Sequence, residues 1–279
     1  MQFQEWASKN LKHRYLSLIE RIKEQELEDK CTIPFFPYVG RGYDDAKHRI
    51  LIIGKATYGW GKGDKGQGSG TLTEVLNRED VLDRQDLYRY LVQLPKDFIE
   101  EQIIPFYGGE TGLYHSQFWN RIYRLTGNFL CDRHLWDYKR PVKDHERERQ
   151  LSEKCFRSIA WSNVFKVGAP KAKRGNPNQE LIDVQKKENT LNEELRILEP
   201  DVAIFSTGPD EYDKHIKFFL PNTSMKDVGP EHLKIKEIVG LDTLAFRTYH
   251  FQSSYYSNEK FEQVVDCIRD RMNGTSTEG

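Results

Sequence analysis

The sequence predicts an α/β protein, a three-layer α/β/α arrangement around a central, mostly parallel four-stranded sheet. Short continuous apolar runs recur along the chain, each suited to a strand covered on both faces. Segments with helical spacing of apolar residues separate these runs, as crossover helices do in parallel sheets. Each run ends on a glycine or a polar motif, and ligands of such sheets bind beyond the carboxyl ends of the strands.

At the start, Phe3, Trp6, Leu11, Tyr15, Leu18 and Ile22 recur at helical spacing, which predicts one or two amphipathic helices over residues 3–28. The first strand is Arg49 to Ile53, stopping at Gly54. A glycine-dense stretch from Gly59 to Gly70, a polar helical region to about Ile104 and the cluster Gly108, Gly109 and Gly112 read together as an insertion, 59–114, over the pocket end of the sheet. Phe118, Ile122 and Leu125 mark a helix expected to end at Gly127. A charged helix over 145–157 leads into the second strand, Ile159 to Phe165. One helix over 179–197 is closed by Pro200, and Val202 to Phe205 form the third strand, stopping at Gly208. A hairpin of Ile235–Val239 and Leu244–Tyr249 supplies the fourth strand, and Phe261, Val264, Val265 and Ile268 mark the final helix. Residues 1–272 are expected to form a single domain, with 273–279 a disordered polar tail.

Composition narrows the function. Forty-two basic residues against 43 acidic ones leave a formal charge of −1, so nucleic-acid binding needs a local basic patch. No apolar run is long enough to span a bilayer, and the first residues lack secretory features, so a cytoplasmic protein without a membrane partner is expected. Cys31, Cys131, Cys155 and Cys267 are scattered, which argues against a disulfide framework. Cys131 and His134 have the spacing of half a zinc site with no second half, and no metal or other cofactor is expected. Gly61-Lys62 continues into Gly63 rather than Ser or Thr, so the glycine loop does not match a phosphate loop. Gly66-Gln67-Gly68-Ser69-Gly70 likewise lacks the order of a nucleophile elbow.

Four segments, taken in order, resemble the uracil-DNA glycosylase superfamily, in particular its mismatch-specific and single-strand-selective branches. RILIIGKATY (49–58) is similar to the first strand and motif, SQFWNRIYRLTG (116–127) to the Phe-Trp helix, IAWSNVFKV (159–167) to the strand bearing a base-reading asparagine, and EPDVAIFSTG (199–208) to the strand after it. YHFQSSY (249–255) stands where the last motif, often His-Pro-Ser, would lie. The resemblance spans 49–272. It implies a uracil-DNA-glycosylase-like fold that binds a base flipped from single-stranded or duplex DNA, with DNA-repair hydrolase chemistry on the base–sugar bond.

Carried over by position, Asn163 would read the base edge, because a carboxamide offers a donor and an acceptor together. His250 would stabilise the departing base anion, as an oxyanion-hole donor does. Gly54, Lys55, Ala56, Thr57 and Tyr58 would line the pocket floor, with Tyr58 limiting base size, Tyr114 stacking on the base and Ser253 completing the last motif. Phe118 and Trp119 are assigned mainly to the core. The chain departs from the family at its first motif. Ala56 stands where a water-positioning Asp or Asn is usual and Lys55 where another branch has Glu, which leaves Asp64 as the nearest acidic substitute. Lys62 and Lys65 after the first strand, and Lys166, Lys171, Lys173 and Arg174 after the second, are the expected phosphate contacts. A non-catalytic nucleic-acid-binding module and a small-molecule or nucleotide pocket on the same sheet remain rival readings. The sequence gives no oligomeric state.

Overall fold

The computed structural model describes residues 2–56, 70–107, 116–131, 145–170, 176–208 and 212–274. Helix α1 (Phe3–Glu24) buries Ala7, Leu11, Tyr15, Leu18 and Ile22, a stripe at helical spacing. Strand β1 (Tyr38–Val39) is short, and β2 (Ile50–Gly54) is buried at every position. Helix α2 (Leu72–Leu76) is capped by the Thr71 hydroxyl, which accepts from the Glu74 amide at 3.4 Å. In α3 (Arg84–Asp97) Pro95 removes a backbone donor, and the ladder widens into a π-helix over Phe98–Ile103 before α4 (Ile104–Tyr107).

Helix α5 (Gln117–Cys131) runs through Gly127 rather than ending there. Glycine costs only about 1 kcal/mol inside a helix, and burial of Phe129 and Leu130 beyond it outweighs that. Helix α6 (His145–Arg157) leads into β3 (Ile159–Asn163), every residue of which is buried. The single helix expected over 179–197 is two, α7 (Gln179–Glu188) and α8 (Thr190–Leu198). Asn189 between them adopts φ +43°, ending the first, while its side chain accepts from Asn192 N to cap the second. Strand β4 (Val202–Ser206), α9 (Asp213–Phe219), β5 (Ser224–Val228), β6 (Ile235–Val239), β7 (Leu244–Thr248) and α10 (Asn258–Met272) complete the order. Among the described residues no helix is long and apolar enough to cross a membrane.

The α/β class holds, but the sheet is larger and more mixed than the four mostly parallel strands expected. Seven strands lie in the order β1-β3-β2-β4-β7-β6-β5. Strands β2, β4 and β7 are parallel, with Ile53 opposite Phe205 and Ser206 opposite Thr248. Strands β5 and β6 add antiparallel to β7. Only Val228 of β5 is buried, so that strand carries no apolar run to announce it.

The described residues group into two compact units. The first comprises Met1–Tyr38, Gly54–Asp97 and Trp161–Glu199. In it α1 packs on α3, α7 and α8, and a buried polar network joins α1 and α8 to the end of β3. Lys166 Nζ donates to Glu194 Oε2 at 2.6 Å, to Ser162 Oγ at 2.7 Å and to the Asn163 carbonyl. Tyr15 donates its hydroxyl proton to Glu194 and lies 2.9 Å from the Phe35 carbonyl. Burial pulls the Lys166 ammonium below the ordinary lysine range, and burial followed by Glu194 pushes the Tyr15 phenol well up.

The second unit comprises Val39–Ile53, Phe98–Ala160 and Pro200–Gly279. Helix α5 packs on α6 and α10, and Tyr107, Tyr123 and Phe156 form an aromatic cluster. Gly40 passes so close to the chain that a Cβ there would lie 2.2 Å from the Arg157 carbonyl oxygen. On the sheet, buried Arg247 pairs with Asp213 at 2.8 Å, and Lys236 meets the same carboxylate at 3.0 Å.

Removing one member of a buried ion pair strands the other. Lys166→Met should therefore lower stability by about 3–5 kcal/mol, and Lys166→Met with Glu194→Leu should recover much of that loss. Urea denaturation of the wild type, both single variants and the double variant tests the coupling. The phenols also set an alkaline limit. Burial raises Tyr15, Tyr43 and Tyr256 in the folded state. Their contribution is full below the unfolded tyrosine value of about 10 and is lost as pH rises toward the folded values. Lys166, lowered in the fold, acts in the opposite sense only up to the unfolded lysine value of about 10.4. Stability should fall with pH above that point, and Tyr15→Phe should flatten the fall in a pH series of melts.

Candidate functional site

In the first unit the carboxyl end of β3 runs beside Gly54 and Lys55. Val164 N donates to the Gly54 carbonyl at 2.9 Å and Phe165 N to the Lys55 carbonyl at 3.1 Å. Asn163 ends the strand with only 5% of its surface exposed. Its Oδ1 occupies space that a side chain at position 54 would need, since a Cβ on Gly54 would lie 2.4 Å away. Gly54 is therefore glycine because the amide fills its missing side chain's place.

The peptide that carries Asn163 is held from the other side. Lys166 Nζ donates to the Asn163 carbonyl, and Gln185 Oε1 accepts from the Lys166 and Val167 amides at 2.6 and 3.0 Å. The Asn163 carboxamide itself makes no hydrogen bond among the described residues. A rigidly framed, unpaired amide at a strand end is the arrangement that a ligand with one donor and one acceptor would satisfy.

The second unit presents the ends of β4 and β7. Gly208, at φ +85°, donates its amide to the Thr248 carbonyl at 3.0 Å, and Ser206 Oγ accepts from the Phe251 amide at 2.7 Å. Thr207 between them is fully buried with a hydroxyl that meets no partner among the described residues. Half-buried His250 follows β7. Its ring stacks on Phe118 of α5, with centroids 5.4 Å apart and planes 19° from parallel. His250 Nδ1 accepts from the Gln252 amide at 3.2 Å, which places the neutral ring's proton on Nε2. The His250 carbonyl accepts from Ser253 N at 2.7 Å, closing a tight turn, and the Ser253 hydroxyl accepts from Tyr255 N.

One assignment changes and one is extended. Lys166 is no phosphate contact, because its ammonium is completely buried and committed to Glu194, Ser162 and the Asn163 carbonyl. Phe118, assigned mainly to the core, also forms the platform under His250. Lys55 and Ala56 are half-buried and follow Gly54 directly. Thr57, Tyr58, Lys62, Asp64, Lys65, Tyr114, His134, Lys171, Lys173 and Arg174 lie outside the described residues.

Sequence reasoning also passed over Thr207 and Arg121. Arg121 falls on the apolar stripe of α5, three residues after Phe118 and next to Ile122, and a cation at an inward position is a signal that periodicity alone contains. Elsewhere in the first unit, a cleft of about 530 Å³ lies among α1, α2 and α3, lined by Ile19, Leu76, Val81, Leu82 and Leu87. It includes neither Gly54 nor Asn163.

Comparison with known proteins gives no match, whether to a family model, to a curated protein or to a solved structure.

Two substitutions test the frame around Asn163. Gly54→Ala should destabilise the protein by about 1–3 kcal/mol, because the new methyl must push the amide aside. Asn163→Leu, close in shape but without polar atoms, should raise stability by about 1 kcal/mol if the amide is unsatisfied without ligand. Opposite signs in urea melts are the expected result, and a loss of stability in Asn163→Leu would show that the amide is already paired.

Proposed function

We propose that this chain is a uracil-DNA-glycosylase-like protein that binds a nucleobase extruded from DNA and hydrolyses its bond to the sugar. The observation that carries the reading is the Asn163 carboxamide, buried, rigidly framed against Gly54 and without a hydrogen bond among the described residues. A carboxamide there offers one donor and one acceptor, and a base edge offers the matching pair.

In this reading Asn163 selects the base. By the motif order, His250 would have the role of giving a hydrogen bond from Nε2 to the base as the bond between sugar and base nitrogen breaks, the base leaving as an anion. Water adds to the cationic sugar carbon and gives up a proton, with Asp64 as the candidate acceptor. Ala56 favours a second reading, a module that binds the extruded base without cleaving it, since a methyl group cannot orient water.

Labelled oligonucleotides carrying different damaged or modified bases separate these readings when binding and alkali-revealed abasic sites are both measured. Binding should weaken steeply with added salt. Neutralising Lys171, Lys173 and Arg174 together should flatten the salt slope by roughly one unit for each phosphate that no longer meets a cation. Asn163→Leu should reduce discrimination between bases by about tenfold or more. His250→Ala should slow single-turnover cleavage on the order of a hundredfold with little change in affinity. Binding without cleavage by the wild type selects the module, and salt-independent binding of a free nucleotide selects a small-molecule pocket.

A further inference from the structure

The loop after β7 is held by an arginine that, among the described residues, faces no carboxylate. Arg121 on α5 is only 4% exposed. Its guanidinium donates to the Phe251 and Tyr256 carbonyls and, at 2.9 Å, to the Ser253 carbonyl. It also lies over the rings of Tyr256 and Phe261, 5.8 and 5.5 Å from their centroids. A buried guanidinium needs compensation for lost water, and three converging carbonyl dipoles supply it only if the loop keeps one shape.

The geometry therefore locks His250 from two directions. Phe251, the next residue, has its amide on Ser206 Oγ and its carbonyl on Arg121. The Ser253 carbonyl is on Arg121, while the Ser253 amide closes the turn onto the His250 carbonyl. Within that turn the Gln252 amide reaches His250 Nδ1. Helix α5 also provides the Phe118 ring beneath the imidazole, one turn before Arg121.

We propose that Arg121 is the positioning residue that fixes His250 in its Nε2-protonated form, acting through the Phe251 and Ser253 carbonyls. Its consequence for base release rests on the base-binding reading above, whereas its effect on the imidazole does not. A histidine meant to donate from Nε2 must keep its proton there, and the Gln252 bond to Nδ1 favours that only while the turn is closed. Lysine lacks the fork, whose Nη1 holds the Phe251 and Ser253 carbonyls while Nη2 holds that of Tyr256.

Long-range proton–nitrogen correlation spectra of the full chain, with ¹⁵N-labelled histidine and His250 assigned through His250→Gln, read the tautomer directly. The wild type should show an unprotonated Nδ1. Arg121→Met should raise the population protonated at Nδ1 by roughly tenfold, the scale set by one ordinary hydrogen bond, and Arg121→Lys should give a smaller rise. Ser206→Ala, which frees the other end of Phe251, should shift the same resonances in the same direction. Wild-type nitrogen shifts in a folded Arg121→Met protein would overturn the proposal, as would wild-type shifts in both Arg121→Lys and Ser206→Ala should the methionine variant not fold. Oligonucleotide binding measured on the same samples keeps the two readings apart. A wild type that binds no base-modified DNA removes the base-binding function, and the tautomer result still decides the role of Arg121.

Discussion

The first unit is organised around one ammonium group. Lys166 is wholly buried, with its Nζ surrounded by a carboxylate, a hydroxyl and a peptide carbonyl, so every element that supplies a partner must arrive in register. Glu194 brings α8, Ser162 brings β3, and Tyr15 brings α1 through the far oxygen of the same carboxylate. Apolar packing alone would tolerate small slips between these elements. A buried ion pair does not, because a partner displaced beyond hydrogen-bond range leaves a charge in a low dielectric. Asn163 inherits that rigidity through its own carbonyl.

How much of this was legible in the sequence depends on which physical signal each residue carries. The runs at Ile50, Ile159 and Val202 announce buried strands because all their side chains are covered, and the stripes of α1 and α10 announce helices because one face is covered. Strand β5 is exposed at most positions and is joined to the sheet by backbone bonds, which composition does not report. Gly127 misleads for the converse reason. Its usual role as a helix terminator is a local preference, and the apolar residues beyond it decide otherwise. Asn189 breaks what periodicity presents as one helix, since a single left-handed residue leaves the apolar spacing on either side almost unchanged.

The candidate site divides along the same line. Asn163 is the last residue of β3, and His250 follows the end of β7 by two residues. Lys166 lies three residues beyond Asn163 in a basic-looking segment, and only burial distinguishes a charge that meets phosphate from one that meets Glu194. Thr207 and Arg121 belong to a third kind. Their meaning lies in what their polar atoms touch or fail to touch, a property of tertiary geometry that no single sequence displays.

The interleaving of the two units bears on how the chain is made. The first unit takes its last stretch from Trp161–Glu199, so all its parts have been synthesised while β4 is still to come. Strand β2, which pairs Ile50 with Val202, must wait for that strand, and β4 in turn awaits Leu244 to Thr248 on its other side. The other neighbour of β2, β3, is made earlier, so the edge facing β4 is the one left open longest, and contacts of such long separation slow folding. A nascent chain released before residue 202 would carry β2 with its β4 edge unsatisfied, and holding that edge is the service such a chain would ask of a chaperone.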